Sequence, residues 1–305
     1  MFDGGTSFGW MNGANSNGEN YQPDVTSYDY DVSVGEGGDL RPKYFEFRDE
    51  IKQATGVTPP EPPQPILPIA LPVVKLTQAT SLWNNLPTAI PSENPLSMED
   101  IGQAYGYILY RTTVNGPLNG ELKLDAVHDY AQIYLDGKLA GSIDRRLNQS
   151  SLTLHDEAAK IQLDILVENT GRVNYGLAIR GERTGITHQV LFEGKPLTGW
   201  SIFSLPMQNT SQLAYSQAAC TGPCFYRGEV NVATPGDTYL DTRNLTKGEV
   251  WINGQNLGRF WNVGPQRTLY LPGPWLKQGT NEIVVFDLKG KSGRKVKGLR
   301  HSILK

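Results

Sequence analysis

The residues that could do chemistry are few and scattered. Four histidines stand at positions 128, 155, 188 and 301. None has a His-x-x-x-His or His-Glu-x-x-His neighbour, so neither a zinc centre nor a histidine pair has support from spacing. There is no Gly-x-Ser-x-Gly elbow, no Gly-x-Gly-x-x-Gly after a strand and no Walker motif, which removes serine hydrolysis and phosphate cradling. Asp24, Asp29 and Asp31 cluster, but the glycine and terminal glutamate of a calcium loop are missing, and turn formation in a solvated stretch explains them as well. Cys220 and Cys224 lie in CTGPC. With no third ligand they read either as a short disulfide of a secreted protein or as two free thiols. Neither a metal nor a cofactor is expected. Asn148, Asn209 and Asn244 head Asn-x-Ser/Thr triplets, for which chance suffices in a chain rich in Asn and Thr.

The aromatic residues say more. Trp10, Tyr21, Tyr28 and Tyr30 fall in polar loops beside Asn12, Asn15 and Asp29. A sugar ring has apolar C–H faces and a hydroxyl rim, so its sites combine an aromatic platform with carboxylate and amide partners. The same residues could equally plug loops against a neighbouring core, and composition does not choose between these readings.

Elements must carry those loops. The 305 residues hold 28 basic and 31 acidic side chains, 33 Gly and 20 Pro, with 19% charged against a usual ~25%. Frequent turns and few charged helices point to a β-rich protein, long enough for about two domains. The near-neutral net charge of −3, read as coming without a Lys/Arg cluster, leaves no electrostatic reason to bind nucleic acid or an anionic membrane. No apolar run reaches the ~18 residues of a membrane span. The N-terminus has neither a basic region nor an apolar stretch, so no signal peptide is expected there; that carries no weight if a front segment is missing.

A helix is expected from Pro42, with Asp39 just before it and Tyr44, Phe47, Ile51 and Ala54 on one stripe, ending at Gly56. Residues 59–72 read PPEPPQPILPIALP, a semi-rigid linker. Beyond it the period becomes two, over 131–137, 160–169, 248–254 and 281–288. Asp136-Gly137 and Asn253-Gly254 are hairpin signals. Residues 133–141 align with 250–258 about 117 positions on, Leu152 and Leu154 with Leu269 and Leu271, and the next apolar strand follows with a slip of about two residues. That offset suits tandem β-sandwiches of about 100 residues plus a connector.

The segments GGTSFGWMNGAN (4–15), TSYDYD (26–31) and KYFEFR (43–48) resemble the end of the catalytic barrel in family 35 glycoside hydrolases, the β-galactosidases. YILYRTT (107–113), HDYA (128–131), LVENTGRVNYG (166–176) and VWINGQNLGRFW (250–261) are similar to the two β-domains that follow it. The resemblance implies a mainly β fold: two tandem galactose-binding-like jelly-roll sandwiches preceded by the last strand and helix of a truncated (β/α)8 barrel. It places the barrel remnant at 1–56, the linker at 57–72, the first sandwich at 73–205 and the second at 206–305, with the packing of 73–97 open.

The same resemblance implies retaining exo-β-galactosidase chemistry with two glutamates on earlier barrel strands. Glu19, Glu36 and Glu46 match neither glutamate motif, so the chain alone is expected to be inactive. Its partners would be a β-galactoside or galactose and the missing barrel portion. Tyr30 matches a tyrosine that hydrogen-bonds galactose and the nucleophile's carboxylate. Trp10 falls where the family puts an aromatic near the sugar, and Tyr175 is similar to a β-domain residue leaning toward the barrel mouth. Arg172, Asn174 and Tyr28 take supporting, domain-docking roles. Full-length relatives are often secreted, periplasmic or lysosomal; the compartment of this chain is left open, and so is an oligomeric state. The alternative is a non-catalytic carbohydrate-binding or docking module. A lone barrel strand has unpaired edges, so residues 1–40 should pack poorly or borrow contacts from the β-domains or another copy. Low exposure of Phe2, Phe8 and Trp10 would argue the other way.

Overall fold

Asp136, Gly137, Asn253 and Gly254 all take positive φ, at 47°, 75°, 49° and 82°, the backbone that a tight two-residue hairpin needs. They close the hairpins Tyr130–Leu135 to Lys138–Asp144 and Lys247–Ile252 to Gln255–Trp261. Each hairpin shifts register once, between Ile133 and Tyr134 in the first and between Val250 and Trp251 in the second. These are equivalent points of the sequence repeat, and each is immediately preceded by a pairing with glycine, Ile133 with Gly141 and Val250 with Gly258. The computed structural model describes residues 2–17, 20–216, 219–290 and 295–304; Glu19 lies outside them.

The chain divides into two units. One comprises Asn12–Asp24 and Leu82–Gln212. Its six-stranded antiparallel sheet runs Lys138–Asp144, Tyr130–Leu135, Lys160–Glu168, Tyr107–Asn115, Trp200–Leu205, Ile90–Ser92. A second sheet runs Ser151–Asp156, Leu118–Leu124, Val190–Phe192, Lys195–Pro196. The alternation in 160–169 becomes faces: Ile161, Leu163, Ile165 and Val167 enter a core shared with Leu122, Leu124 and Leu154 of the second sheet. Each such fully buried side chain contributes roughly 1.5–3 kcal/mol. On the opposite face, Asp164 accepts from Arg111 Nε at 2.6 Å and Nη2 at 3.0 Å.

The other unit comprises Met1–Met11, Val25–Ser81 and Leu213–Lys305. Its sandwich pairs the five-stranded sheet Gln255–Trp261, Lys247–Ile252, Gly279–Asp287, Cys224–Val232, Gln78–Ser81 with the four-stranded sheet Thr268–Leu271, Thr238–Asp241, Lys295–Leu299, Leu71–Lys75. Leu71, Val74, Tyr226, Leu240, Val250, Leu269, Ile283 and Val285 share its core. The four successive strands of the large sheet repeat the order in the first unit, so the sequence repeat is a repeat of topology. Residues 73–97, whose packing was open, divide between the units: Leu71–Lys75 and Gln78–Ser81 are strands here, whereas Ile90–Ser92 belongs to the other unit. Cys220 and Cys224 are joined by a disulfide.

The helix spans Pro42–Thr55 and stops at Gly56, whose φ is 70°. Its N-cap is Arg41, without a side-chain cap, so Asp39 is not the capping residue; it accepts from Arg41 Nε at 3.2 Å instead. No side chain of the helix is buried. Phe45, Phe47 and Ile51 are 46%, 37% and 51% exposed, and Phe47 stacks on Phe2, itself 55% exposed, with ring centroids 6.3 Å apart. The rest of the N-terminal stretch borrows contacts from the sandwich of its own unit. Phe8 packs on Trp275 at 4.6 Å and on Tyr270 at 6.4 Å. Gly9 N donates to Asn256 O, Thr26 Oγ1 to Arg259 O, and Ser27 N to Gln266 Oε1. Phe2 is therefore exposed while Phe8 and Trp10 are half-buried.

Candidate functional site

The two-residue strand Ser27–Tyr28 pairs antiparallel with Gly5–Thr6, setting Tyr28 opposite Gly5. The extended backbone then alternates: Asp29 turns inward and is fully buried, while Tyr30 is 44% exposed. The Tyr28 and Tyr30 rings stack at 6.1 Å. Asp29 anchors both. It accepts from Arg41 Nη2 at 2.6 Å, Glu36 N at 3.0 Å and Ser302 Oγ at 3.3 Å, and Arg41 Nη1 donates to the Asp29 carbonyl. A side chain at Gly4 would stand 2.9 Å from Asp29 Oδ1 and 3.0 Å from Tyr28 O, so glycine lets the strand approach this anchor. Thr6 Oγ1 donates to Glu36 Oε2 at 2.6 Å. Burial pushes the Glu36 carboxyl up to about 7, against the Thr6 hydrogen bond, with the nearby Asp29 and Asp39 acting in the same upward direction. Trp10 follows Gly9, whose φ is 60°, in a turn closed by Met11 N donating to Phe8 O at 3.2 Å.

Tyr175 belongs to the other unit. There Gly13–Ser16 pairs in parallel with Arg172–Val173, and Asn174 N donates to Ala14 O. Asn174 Nδ2 donates to Asp24 Oδ2, and Asn15 Nδ2 to Asp24 Oδ1, both at 3.0 Å. Arg172 is spent on its own domain. Nε and Nη2 donate to Ala104 O at 3.0 and 2.8 Å, and Nη1 meets Glu99 at 2.6 Å. Burial raises the Glu99 carboxyl, but bonds from Thr184 and Arg172 outweigh it and hold it below its usual value. Beyond these fixed residues Tyr175 is 76% exposed, and it borders an open cleft of about 810 Å³ with Asn15, Asn17, Asn20, Gln22 and Leu177.

Tyr21 takes the plugging role among the loop aromatics. It is 3% exposed, and its hydroxyl contacts Asp129 Oδ2 at 2.8 Å, Thr170 Oγ1 at 2.8 Å and Gly171 O at 2.6 Å. The Arg145 guanidinium lies 4.3 Å from its ring centroid and bridges Asp129 at 2.8 Å and Glu182 at 2.9 Å. Burial drives the Asp129 carboxyl up, and Arg145 opposes it. Asn12 is also structural, donating to Thr170 O at 2.8 Å and Asp24 O at 3.2 Å. The three clustered aspartates face three different partners: Asp24 the two asparagines, Asp29 Arg41, and Asp31 Lys43 at 3.0 Å. That Lys43 bond holds the Asp31 carboxyl below its usual value. Among the described residues no group of three metal-ligating side chains converges, and no helix is long and apolar enough to cross a membrane.

Tyr28 and Tyr30 thus lie together in one unit, with Trp10 elsewhere in it, while Tyr175, Arg172 and Asn174 are contiguous in the other. The Tyr21–Asp129–Arg145 network was not read from sequence, because Tyr21 lies over a hundred residues from its two partners and only the HDYA motif hinted at Asp129.

Comparison with known proteins gives these residues a context. Residues 1–54 match the model of glycosyl hydrolases family 35, 95–206 that of the β-galactosidase first all-beta domain, and 223–281 that of the β-galactosidase galactose-binding domain. A β-galactosidase of Xanthomonas manihotis is 49% identical over 275 residues, covering 89% of this chain and 46% of the relative. Human β-galactosidase-1-like protein 2 is 40% identical, covering 94% and 47%. A bovine β-galactosidase is 38% identical, covering 95% and 48%. The chain spans about half the length of these relatives. Matched from its first barrel-derived segment through both β-domains, the chain belongs to the family 35 glycosyl hydrolases, corresponding to the C-terminal portion of their β-galactosidases.

Proposed function

We propose that the chain works as the C-terminal portion of a retaining exo-β-galactosidase that removes terminal non-reducing β-D-galactose, and that it does no chemistry alone. The two glutamates come from barrel residues outside this sequence. One protonates the glycosidic oxygen. The other attacks the anomeric carbon, which requires carboxyl groups about 5–5.5 Å apart. In this reading Tyr30 positions the nucleophile's carboxylate and bonds the galactose, Trp10 flanks the sugar, and Tyr175 approaches the barrel mouth from the first β-domain. Arg172, Asn174 and Tyr28 hold those residues in place.

The observation that carries the reading is the helix Pro42–Thr55. It buries none of its side chains, yet it presents Phe47 and Ile51 one turn apart on one face, with Phe47 stacked on Phe2. Such a face suits an outer barrel helix whose neighbours are elsewhere. The test is reconstitution. The pure chain should not hydrolyse a nitrophenyl β-galactoside, and co-expression with the N-terminal half of the Xanthomonas relative should restore hydrolysis that falls on Tyr30→Phe. Turnover by the pure chain that survives Tyr30→Phe would defeat the proposal. A second reading, a carbohydrate-binding module, is favoured by the amide-lined cleft beside Tyr175. Calorimetric titration with neutral galactosides separates the two: saturable binding lost in Tyr175→Ala supports a module, and no binding supports a scaffold.

A further inference from the structure

The expectation of no Lys/Arg cluster fails near the end of the chain, because the near-neutral balance averages over it. Residues 289–300 carry Lys289, Lys291, Arg294, Lys295, Lys297 and Arg300 and no carboxylate. Part of that run is the strand Lys295–Leu299 in the four-stranded sheet of the second sandwich. Val296 enters the core, so Lys295 and Lys297 share the outer face. The register steps here: Val296 faces Val74 and Gly298 faces Leu71, leaving Pro72 and Val73 together opposite Lys297. This bulge re-aims the local side chains and leaves Val73 57% exposed.

On the other side the strand Thr238–Asp241 pairs Leu240 with Gly298. Its Asp241 is held by Arg243 through Nε at 2.9 Å and Nη2 at 2.8 Å. The Arg243 bonds keep the Asp241 carboxyl ionised below its usual value, with Lys297 adding to the effect. Together with Asn244 these residues line a cleft of about 360 Å³, within the range of small-molecule sites, roughly 300–1,000 Å³. Lys295 and Lys297 make no ion pair among the described residues. Three cations against one paired carboxylate give the cleft a net positive charge, and its walls focus that field. Val73 offers an apolar surface and Asn244 an amide, the two other elements a sugar needs.

We propose that this cleft is a saccharide site selective for a galactose carrying a sulfate or carboxylate group. The ammonium groups of Lys295 and Lys297 take the anion, Val73 meets the C–H face, and Asn244 takes a hydroxyl. The proposal rests on the reading of the chain as part of a galactoside-handling enzyme. Its test reads binding rather than turnover, so failed reconstitution would remove that reading while a failed titration would remove this site.

The full chain is titrated calorimetrically at low ionic strength with D-galactose 6-sulfate, D-galacturonate, D-galactose and inorganic sulfate. At least one anionic sugar should bind saturably, and about tenfold more weakly to the K295Q/K297Q double variant. Binding should also weaken in Val73→Glu, which adds a carboxylate to the cleft lining, and in high salt. These side chains face outward, so unchanged melting temperatures certify that the variants fold. The site is overturned if neither anionic sugar saturates, if the double variant binds like the parent, or if neutral galactose binds as tightly. Inorganic sulfate matching the sugars also overturns it, since the cleft then holds an adventitious ion only.

Discussion

The segment Asn12–Asp24 and the helix Pro42–Thr55 both lie within the stretch that matches the catalytic family model, yet they are built in opposite ways. The segment buries polar groups. Tyr21, Asp129, Arg145 and Thr170 satisfy one another in a largely buried network, and Asn174 and Asn15 fix Asp24 at its end. The helix exposes apolar groups and, among the described residues, buries none of its side chains, with Phe47 stacked on the exposed Phe2 ring. A satisfied buried network specifies one arrangement, because any displacement strands a desolvated charge. An exposed aromatic stripe specifies nothing until a partner covers it. One part of the barrel remnant is therefore complete within this chain, and on the proposed reading the other waits for its barrel.

The comparison breaks most visibly at Arg145. Arg145→Ala removes the cation that faces the fully buried Asp129 and should cost about 3–5 kcal/mol, read as a lowered midpoint in denaturant unfolding of the first sandwich. A loss no larger than that of an exposed arginine such as Arg180 would show that the network does not hold the segment. Glu36 tests the other half of the remnant, where Thr6 and Glu36 join the first strand to the tyrosine-bearing loop. Its carboxyl titrates near 7 in the fold against a reference of 4.5, so the folded state keeps a proton that the unfolded chain releases. That contribution is fully present below about 4.5 and is lost as pH rises through 7, by at most about 3 kcal/mol. Parent protein should lose stability between pH 5 and pH 8 relative to Glu36→Gln. Parallel pH–stability curves for the two would rule this out. Tyr21→Phe keeps the ring under Arg145 and deletes only the hydroxyl that contacts Asp129, Thr170 and Gly171, for about 1–3 kcal/mol. A melting temperature equal to the parent's would mean that the ring alone clamps the segment.

Much of the scaffold was legible because its signals are local. Asp136-Gly137 and Asn253-Gly254 announce their hairpins through residues that tolerate positive φ, and the spacing between them predicted a repeat that the sheets then follow strand for strand. The attachment of Leu71–Lys75 to the far end of the chain was not legible. Proline spacing reveals an extended backbone but not which edge, here Lys295–Leu299, it will join. The site was legible in part. Tyr28 and Tyr30 announce themselves by motif, but the reason they stand where they do, Asp29 held by Arg41 and Ser302, spans the chain and leaves no periodicity to read. Tyr21 shows the limit: identical in type to its loop neighbours, it is distinguished only by partners such as Asp129 and Gly171.

The smallest expected effect on stability is the one that most sharpens the comparison. Phe45, Phe47 and Ile51 are largely exposed on the helix, so the triple change to Ser should move the stability of this chain by no more than about 0.5 kcal/mol per site, chiefly through helix propensity. If the stripe that Phe47 and Ile51 share is an interface for barrel neighbours, the same variant, which removes both, should lose most of the activity regained on co-expression with an N-terminal half, because an apolar helix face supplies the docking energy. Stability and complementation would then separate, the first nearly unchanged and the second greatly reduced. Arg145→Ala should do the reverse in its first effect, unfolding the sandwich before docking is at issue. Triple-variant chains that complement as well as the parent would mean that the stripe faces solvent in the assembled enzyme, and the contrast between a completed and an uncompleted half of the remnant would fail.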